Sequence, residues 1–259
     1  MTWPPGHPGT WVIDLDGVVW LSGQPIVGVR EALAALRATG SRPLFVTNNA
    51  GLTRRQLLGR LAHLGVAADD GELVSSAQAA ATLVPPGSRV LAVAQGGATE
   101  ALTAHGATLV TKGPADAVVV GYTSRFDYGL LAVAADAVRH GARLIGTNED
   151  ATYPTPEGLL PGAGSLLAAV ATASGAVPEV AGKPHGPMVG LVRARATDVV
   201  AVVGDRPSTD GLFARRLGVP FALVFSGVTA ATDPVSDPAP DVTAADLGEL
   251  VTATLAPGA

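Results

Sequence analysis

The sequence predicts an α/β protein with parallel sheets, in which one set of strand–helix units is inserted into another. Three observations carry that expectation. Short apolar, β-like runs alternate with helical patterns for most of the chain, the order that parallel strands and crossover helices produce. The alternation restarts after Pro85-Pro86 and is closed by Gly182-Lys183-Pro184, which brackets a middle set near residues 85–180. Length allows it too: 259 residues, 47% of them apolar, can fill one large core or two modest ones.

Each element follows from local pattern. Trp11–Asp14 reads as the first strand, followed by a helix near Val29–Thr39 and a second strand at Pro43–Thr47. The next helix opens with Thr53-Arg-Arg-Gln56, a capping-box pattern, and continues through Leu57, Leu58, Leu61 and Leu64 at helical spacing. Ser76–Val84 is a helix stopped by the two prolines. The middle set then runs strand Val90–Ala94, helix Thr99–His105, strand Ala117–Gly121, helix Tyr128–His140 and strand Leu144–Thr147. A Pro- and Gly-rich loop is expected from Ala151 to Gly164, and a helix over Ser165–Ser174. The final set is helix Pro187–Ala194, strand Val199–Val203, helix Asp210–Leu217 and strand Phe221–Phe225.

Composition narrows the partners. The formal net charge is −5, and no basic run exceeds Arg54-Arg55 or Arg215-Arg216, so nucleic acid is not an expected partner. There is no cysteine, hence no disulfide framework and no thiolate metal site. No apolar run approaches the ~20 residues of a membrane span, and the first nine residues lack a basic region followed by an apolar stretch. The expectation is a cytoplasmic protein without membrane contact. Among 17 basic residues only Lys112 and Lys183 are lysines.

The most informative stretch is Trp11-Val-Ile-Asp-Leu-Asp-Gly-Val-Val19. Two carboxylates directly after a buried-looking strand are costly unless something neutralises them. A divalent cation or a reacting phosphate would do so, and Gly17 permits the turn that aims both out of the sheet edge. An Asx-type turn ending a strand accounts equally well for these four residues taken alone. In open α/β sheets ligands bind beyond the carboxyl ends of the strands, and other polar residues are predicted there. The second strand ends in Thr47, Asn48 and Asn49. The strand Val199–Val203 runs into Gly204-Asp205-Arg-Pro-Ser-Thr-Asp210, and Lys183 lies in the loop before the Pro187 helix. Carboxylates, a hydroxyl, amides and one ammonium are the inventory for holding Mg²⁺ and a phosphate. Each piece also has a plainer reading: a capping loop for Thr47-Asn48-Asn49, a surface lysine, a turn and a helix N-terminus for Asp205 and Asp210.

Taken in order, Asp-Leu-Asp-Gly-Val (14–18), Thr-Asn-Asn (47–49), Gly-Lys-Pro (182–184) and Gly-Asp-Arg-x-x-x-Asp (204–210) resemble the four motifs of the haloacid dehalogenase superfamily. Val118-Val-Val-Gly121, Gly146-Thr-Asn-Glu-Asp150 and Gly158-Leu-Leu-Pro-Gly-Ala-Gly-Ser165 resemble its NagD-like, 4-nitrophenylphosphatase-like branch. The resemblance implies a doubly wound, Rossmann-like hydrolase core (1–84 and 181–259) with an inserted α/β cap (85–180). It implies a Mg²⁺-dependent phosphatase of small phosphorylated metabolites. Asp14 would be the nucleophile, forming an aspartyl-phosphate. Asp16 would act as general acid and base, its backbone carbonyl also touching the metal. Thr47 and the Asn48 backbone amide would hold phosphate oxygens, and Lys183 would offset charge. Asp14, Asp16 and Asp205 would hold the metal, with Asn49 and Asp210 in support. Asn148, Glu149 and Asp150, within the stretch 148–157, and the stretch Tyr122–Asp127 would bear on substrate choice. A homodimer through the cap is compatible with this reading.

Gly211 and Ala214 depart from the family pattern, as does Glu149 between Asn148 and Asp150. Two other classes share part of the inventory: a phospho-accepting signalling domain, which would need neither cap nor Asp16, and a binding protein that kept the fold without activity. Three signals are set aside. Val93-Ala-Gln-Gly-Gly-Ala98 lacks the Gly-x-Gly-x-x-Gly pattern. Gly182-Lys183-Pro184 has Val at position 177 and no hydroxyl after the lysine. The five histidines (7, 63, 105, 140, 185) show no metal-ligand spacing.

Overall fold

The computed structural model describes residues 3, 8–21, 23–155, 158–234 and 237–256. The elements in chain order are β1 (Thr10–Ile13), a small hairpin of β2 (Trp20–Leu21) and β3 (Gln24–Pro25), α1 (Val29–Ala38), β4 (Arg42–Thr47), α2 (Arg54–His63), β5 (Leu73–Ser75) and α3 (Ser76–Thr82). There follow β6 (Arg89–Val93), α4 (Gly97–Ala104), β7 (Thr108–Val110), β8 (Ala117–Val120), α5 (Tyr128–Arg139), β9 (Arg143–Gly146), β10 (Thr152–Thr155), β11 (Gly158–Pro161) and α6 (Ala163–Ser174). The last are β12 (Glu179–Val180), α7 (Gly186–Arg195), β13 (Val199–Gly204), α8 (Leu212–Leu217), β14 (Phe221–Val224), β15 (Val242–Ala244) and α9 (Leu247–Leu255).

By compactness the chain divides into two units. The first comprises residues 1–47, 58–74 and 189–259. Its six-stranded sheet has the order β15-β14-β13-β1-β4-β5, and β1 pairs in parallel with both β13 and β4. Strands buried on both faces read as continuous apolar runs, and Trp11, Val12 and Ile13 of β1 and Phe221–Val224 of β14 do so. Ile13, Leu44, Phe45, Val203, Phe213 and Phe221 are fully buried in this unit.

The second unit comprises residues 48–57 and 75–188. Its five-stranded sheet, ordered β12-β9-β8-β6-β7, is parallel throughout. Leu91, Val118, Val120, Leu144, Leu167 and Val170 form its core, flanked by Phe126 and Leu130. This unit takes in more chain than the Pro85-Pro86 break suggests. Ala50, Ala77 and Ala98 form a second small cluster, and the Gly97 and Ala98 amides donate to the Gly51 and Ala50 carbonyls at 3.3 and 2.9 Å. Small side chains let these backbones meet closely, so 48–57 and α3 pack with α4.

Most expected elements lie within a few residues of their predicted bounds. The capping box on α2 forms, with Gln56 Oε1 accepting from Thr53 N at 2.8 Å and Thr53 Oγ1 from Gln56 N at 3.2 Å. The expected loop at 151–164 is instead a hairpin of β10 and β11, paired antiparallel from Thr152↔Pro161 to Thr155↔Gly158; its connecting residues Pro156 and Glu157 lie outside the described residues. The helix expected from Asp210 opens one turn earlier, as a wide π-type turn over Pro207–Gly211 that leads into α8. Among the described residues no helix is long and apolar enough to cross a membrane.

Asp241 ties β14 to the segment entering β15. Its carboxylate accepts from the Phe221 amide at 2.9 Å and from Arg215 Nη1 at 3.0 Å. Burial pushes the carboxyl up, but the Phe221 amide and the Arg215 guanidinium outweigh it and hold it below the usual carboxylate range. A carboxyl lowered on folding stabilises above its unfolded value, about 3.9, and that contribution is lost as pH falls through the folded value. Urea unfolding should therefore find Asp241→Asn weaker by about 1–3 kcal/mol at pH 7. The gap to the unaltered protein should close as pH drops below about 4.

Candidate active site

In the first unit the chain leaves β1 at Asp14 and turns sharply at Gly17, whose φ is +91°. Gly17 N donates to Trp20 O at 2.7 Å, closing the turn into the β2–β3 hairpin. β13 meanwhile delivers Asp205 at its end, and the π-type turn brings Asp210 back towards it. Asp14, Asp205 and Asp210 are 8%, 2% and 1% exposed, and each contributes a carboxylate oxygen to a group lying within 4.8 Å of one another. Asp205 accepts from Val228 N at 2.6 Å and Asp210 from Arg206 N at 3.1 Å, so backbone amides aim both carboxylates.

Gly227 matters to this geometry because a Cβ there would run into the Asp205 carboxylate. Ser226 Oγ donates to Gly17 O at 2.7 Å, fastening the end of β14 to the Asp14–Gly17 turn. The segment 226–228 is thus part of the site's frame, although no motif marks it. Its position just beyond the carboxyl end of a strand is the signal that would have found it.

Asp16 stands apart from the three. Its Oδ1 accepts from Trp20 Nε1 at 2.8 Å, and its Oδ2 lies 3.5 Å from Thr47 Oγ1, the long end for a hydrogen bond. Trp20 is fully buried, with Arg60 over its ring at 5.3 Å. The side chains that gather with Asp14 are those of Asp205 and Asp210; the sequence reading brought Asp16 to the metal through its backbone carbonyl and gave Asp210 a supporting place. The Asp16 side chain is held by an indole N–H, and the residue remains partly accessible.

The other expected site residues lie in the second unit. Asn48 is bonded on all sides: Ser76 Oγ and Asn148 Nδ2 donate to its carbonyl at 2.6 and 2.8 Å, and its Nδ2 donates to Asp150 Oδ2 at 3.2 Å. Lys183 N donates to Asn48 Oδ1 at 2.7 Å and Asn48 Nδ2 to Lys183 O at 3.2 Å. Lys183 is 3% exposed. Asn49 forms an Asx turn, its Oδ1 accepting from the Gly51 and Leu52 amides.

Of the residues expected to govern substrate choice, Asn148 is buried and turned onto Asn48, and Asp150 meets the same side chain. Glu149 is exposed and meets His185 Nε2 at 2.9 Å. In the stretch 122–127, Asp127 caps α5 by accepting from Leu130 N at 2.8 Å. Tyr122 and Tyr153 pack edge to face with centroids 5.5 Å apart and hydroxyls 3.4 Å apart. That hydrogen bond, with some burial, pushes the Tyr153 hydroxyl up to about 12.

The acidic group passes a test of fit for a cation. Three buried like charges in one place repel unless positive charge joins them, and an all-oxygen carboxylate set suits a hard divalent ion such as Mg²⁺ or Ca²⁺. The arrangement defines a class: doubly wound α/β proteins that keep an acidic site, fit for a cation, at the carboxyl edge of the sheet.

Comparison with known proteins gives the particular family. A haloacid dehalogenase-like hydrolase model matches residues 11–108, and a HAD-hydrolase-like model matches residues 180–250. An acid sugar phosphatase of Staphylococcus aureus is 32% identical over 233 residues, covering 86% of this chain and 88% of that protein. A D-glycerol 3-phosphate phosphatase of Mycobacterium tuberculosis is 41% identical over 231 residues; the match covers 86% of this chain but only 65% of that longer protein. Two solved structures superpose closely. One is a glycerol phosphate phosphatase of M. tuberculosis in complex with magnesium, with a TM-score of 0.86, 38% identity and coverage of 94% and 76% of the two chains. The other is a p-nitrophenyl phosphatase from Archaeoglobus fulgidus, with a TM-score of 0.88, 28% identity and coverage of 95% and 99%. The chain belongs to the haloacid dehalogenase-like hydrolases, in the NagD-like branch that holds the 4-nitrophenylphosphatases.

If the acidic group holds a cation, binding should stabilise the fold, by about 2.7 kcal/mol at 100 times the dissociation constant. Thermal melts are expected to show a rise in Tm with added Mg²⁺ that EDTA reverses. Asp205→Asn should lose most of that rise, and Gly227→Ala should reduce it by displacing the Asp205 carboxylate.

Proposed function

We propose that this chain is a Mg²⁺-dependent phosphatase that hydrolyses small phosphate monoesters through an aspartyl-phosphate on Asp14. The observation that carries the reading is the pairing of two differently placed carboxylates on one turn. Asp14 belongs to the buried acidic group, while Asp16 is held outside it by Trp20. One can attack while the other handles protons.

In the first step an Asp14 carboxylate oxygen forms a bond to phosphorus as the bond to the ester oxygen breaks. Asp16 gives its proton to that departing oxygen, since an alkoxide is a poor leaving group without one. In the second step Asp16 takes a proton from water, whose oxygen attacks phosphorus. The Asp14–phosphorus bond breaks, inorganic phosphate leaves and both carboxyl groups return to their starting states. When bound, the cation neutralises charge building up on the phosphoryl oxygens; Asp14, Asp205 and Asp210 are the side chains that would hold it. Thr47 and the Asn48 amide would orient the phosphate, and Lys183 would add positive charge. The names of the relatives support small, mostly hydroxylated esters as the substrate class, with glycerol phosphates and sugar phosphates first among them. The second unit would serve as the cap that selects among these, with the phosphorylated metabolite as its partner in a cytoplasmic setting.

Phosphate release from a panel of esters with Mg²⁺ tests the reading directly. Turnover should require the metal and fall at least about 10³-fold in Asp14→Asn, whereas a catalytically inert fold would show none from any ester. Asp16→Asn separates the roles further. It should lower the rate on alkyl phosphates by about 10²–10⁴-fold, yet spare much of the activity on 4-nitrophenyl phosphate, whose phenolate leaves without a proton.

A further inference from the structure

Asn48 sits in a stretch that the phosphatase reading assigns to phosphate binding, yet its side chain has other work. Its two amide hydrogens go to Lys183 O and Asp150 Oδ2, and its oxygen accepts from Lys183 N. An amide that donates to and accepts from one residue's backbone imitates a strand neighbour, gripping both polar groups of Lys183. Both donors are then committed, leaving none for a phosphate oxygen. The grip has room only because residue 182 is glycine: a Cβ there would lie 2.5 Å from Asn48 Oδ1 and 2.6 Å from Thr147 O. Asn48 is itself immobilised from the other side, where Ser76 Oγ and Asn148 Nδ2 both donate to its carbonyl.

We propose that Asn48 is a positioning residue whose side chain fixes the main chain of Lys183, and through it the direction of the Lys183 ammonium. Asn148 and Asp150 complete the clasp from the end of β9 rather than reading the substrate. This account explains how a lysine with so little exposure is held at a defined place between β12 and α7. Its catalytic consequence rests on the phosphatase reading; the clasp itself does not.

Having only two lysines makes the test clean. Reductive methylation with formaldehyde and cyanoborohydride, followed peptide by peptide by mass spectrometry, gives the rate at Lys183 against exposed Lys112 as internal reference. In the unaltered protein Lys183 should react at least about tenfold more slowly than Lys112. In Asn48→Ala and in the isosteric Asn48→Asp its rate should rise at least about tenfold, with Lys112 unchanged and cooperative unfolding retained. Unchanged protection in both variants would overturn the proposal. So would a failure of both to fold, which would make Asn48 a residue of general stability. On phosphate release, Asn48→Ala should lower kcat more than it raises KM, and the loss should largely vanish when Lys183→Ala is already present. A full, multiplicative loss in that background would mean that Asn48 touches the substrate itself and would also overturn the clasp's role. If the unaltered protein releases phosphate from no ester, the phosphatase reading fails, and the labelling arm still decides whether Asn48 holds Lys183.

Discussion

The mutual repulsion of Asp14, Asp205 and Asp210 is the constraint around which the first unit is arranged. Three carboxylates, none more than 8% exposed, are held with oxygens within 4.8 Å of one another. Gathering such charges in a protein interior is costly and calls for compensating donors. The scaffold meets this partly with backbone amides, Val228 N on Asp205 and Arg206 N on Asp210. Those donors depend in turn on the strands that deliver them. β1 and β13 are neighbours in the sheet, so Asp14 and Asp205 emerge side by side from its carboxyl edge. The wide turn after β13 folds Asp210 back to the same place. Stability and chemistry pull in opposite directions here, as is common where a site demands charge in a confined space.

The placement of Asp16 shows how two identical side chains on one turn come to lie in different surroundings. Alternation along an extended chain sends residues 14 and 16 to the same side, and both could have joined the acidic group. The turn at Gly17 and the indole of Trp20 divert the second one. One carboxylate is buried among carboxylates, and the other is partly accessible and held by a neutral indole donor. A phospho-accepting signalling domain would have no use for that second group.

Much of this was legible in the sequence where local chemistry alone decides structure. The apolar runs of β1, β4, β8 and β13 are buried on both faces and admit no competing period. Thr53 and Gln56 form their capping box because it needs only four consecutive residues. Other features were hidden because their signals are nonlocal or contrary. β10 and β11 carry Pro154, Gly158 and Pro161, which read as loop; a two-stranded hairpin tolerates them because both of its strands are edges. That the Asp210 carboxylate gathers with Asp14 and Asp205 was not legible, because a six-residue spacing from Gly204 does not reveal a π-type turn. Trp20 and the segment 226–228 belong to the frame only through contacts that sequence order does not display. Asn48 was expected near the phosphate through its backbone amide, and nothing in three consecutive polar residues showed where its side chain would go: onto the Lys183 main chain.

The distribution of aromatic residues has a consequence for observing the protein in solution. Trp3, Trp11 and Trp20 all fall in the first unit, and Tyr122, Tyr128 and Tyr153 all fall in the second. Emission excited at the red edge of the absorption band therefore arises from one unit alone, and near-ultraviolet tyrosine signals from the other. Trp20 donates to Asp16, so a native reporter sits one hydrogen bond from a carboxylate of the candidate site. The molecule thus carries a separate optical label on each half, with no dye and no substitution required.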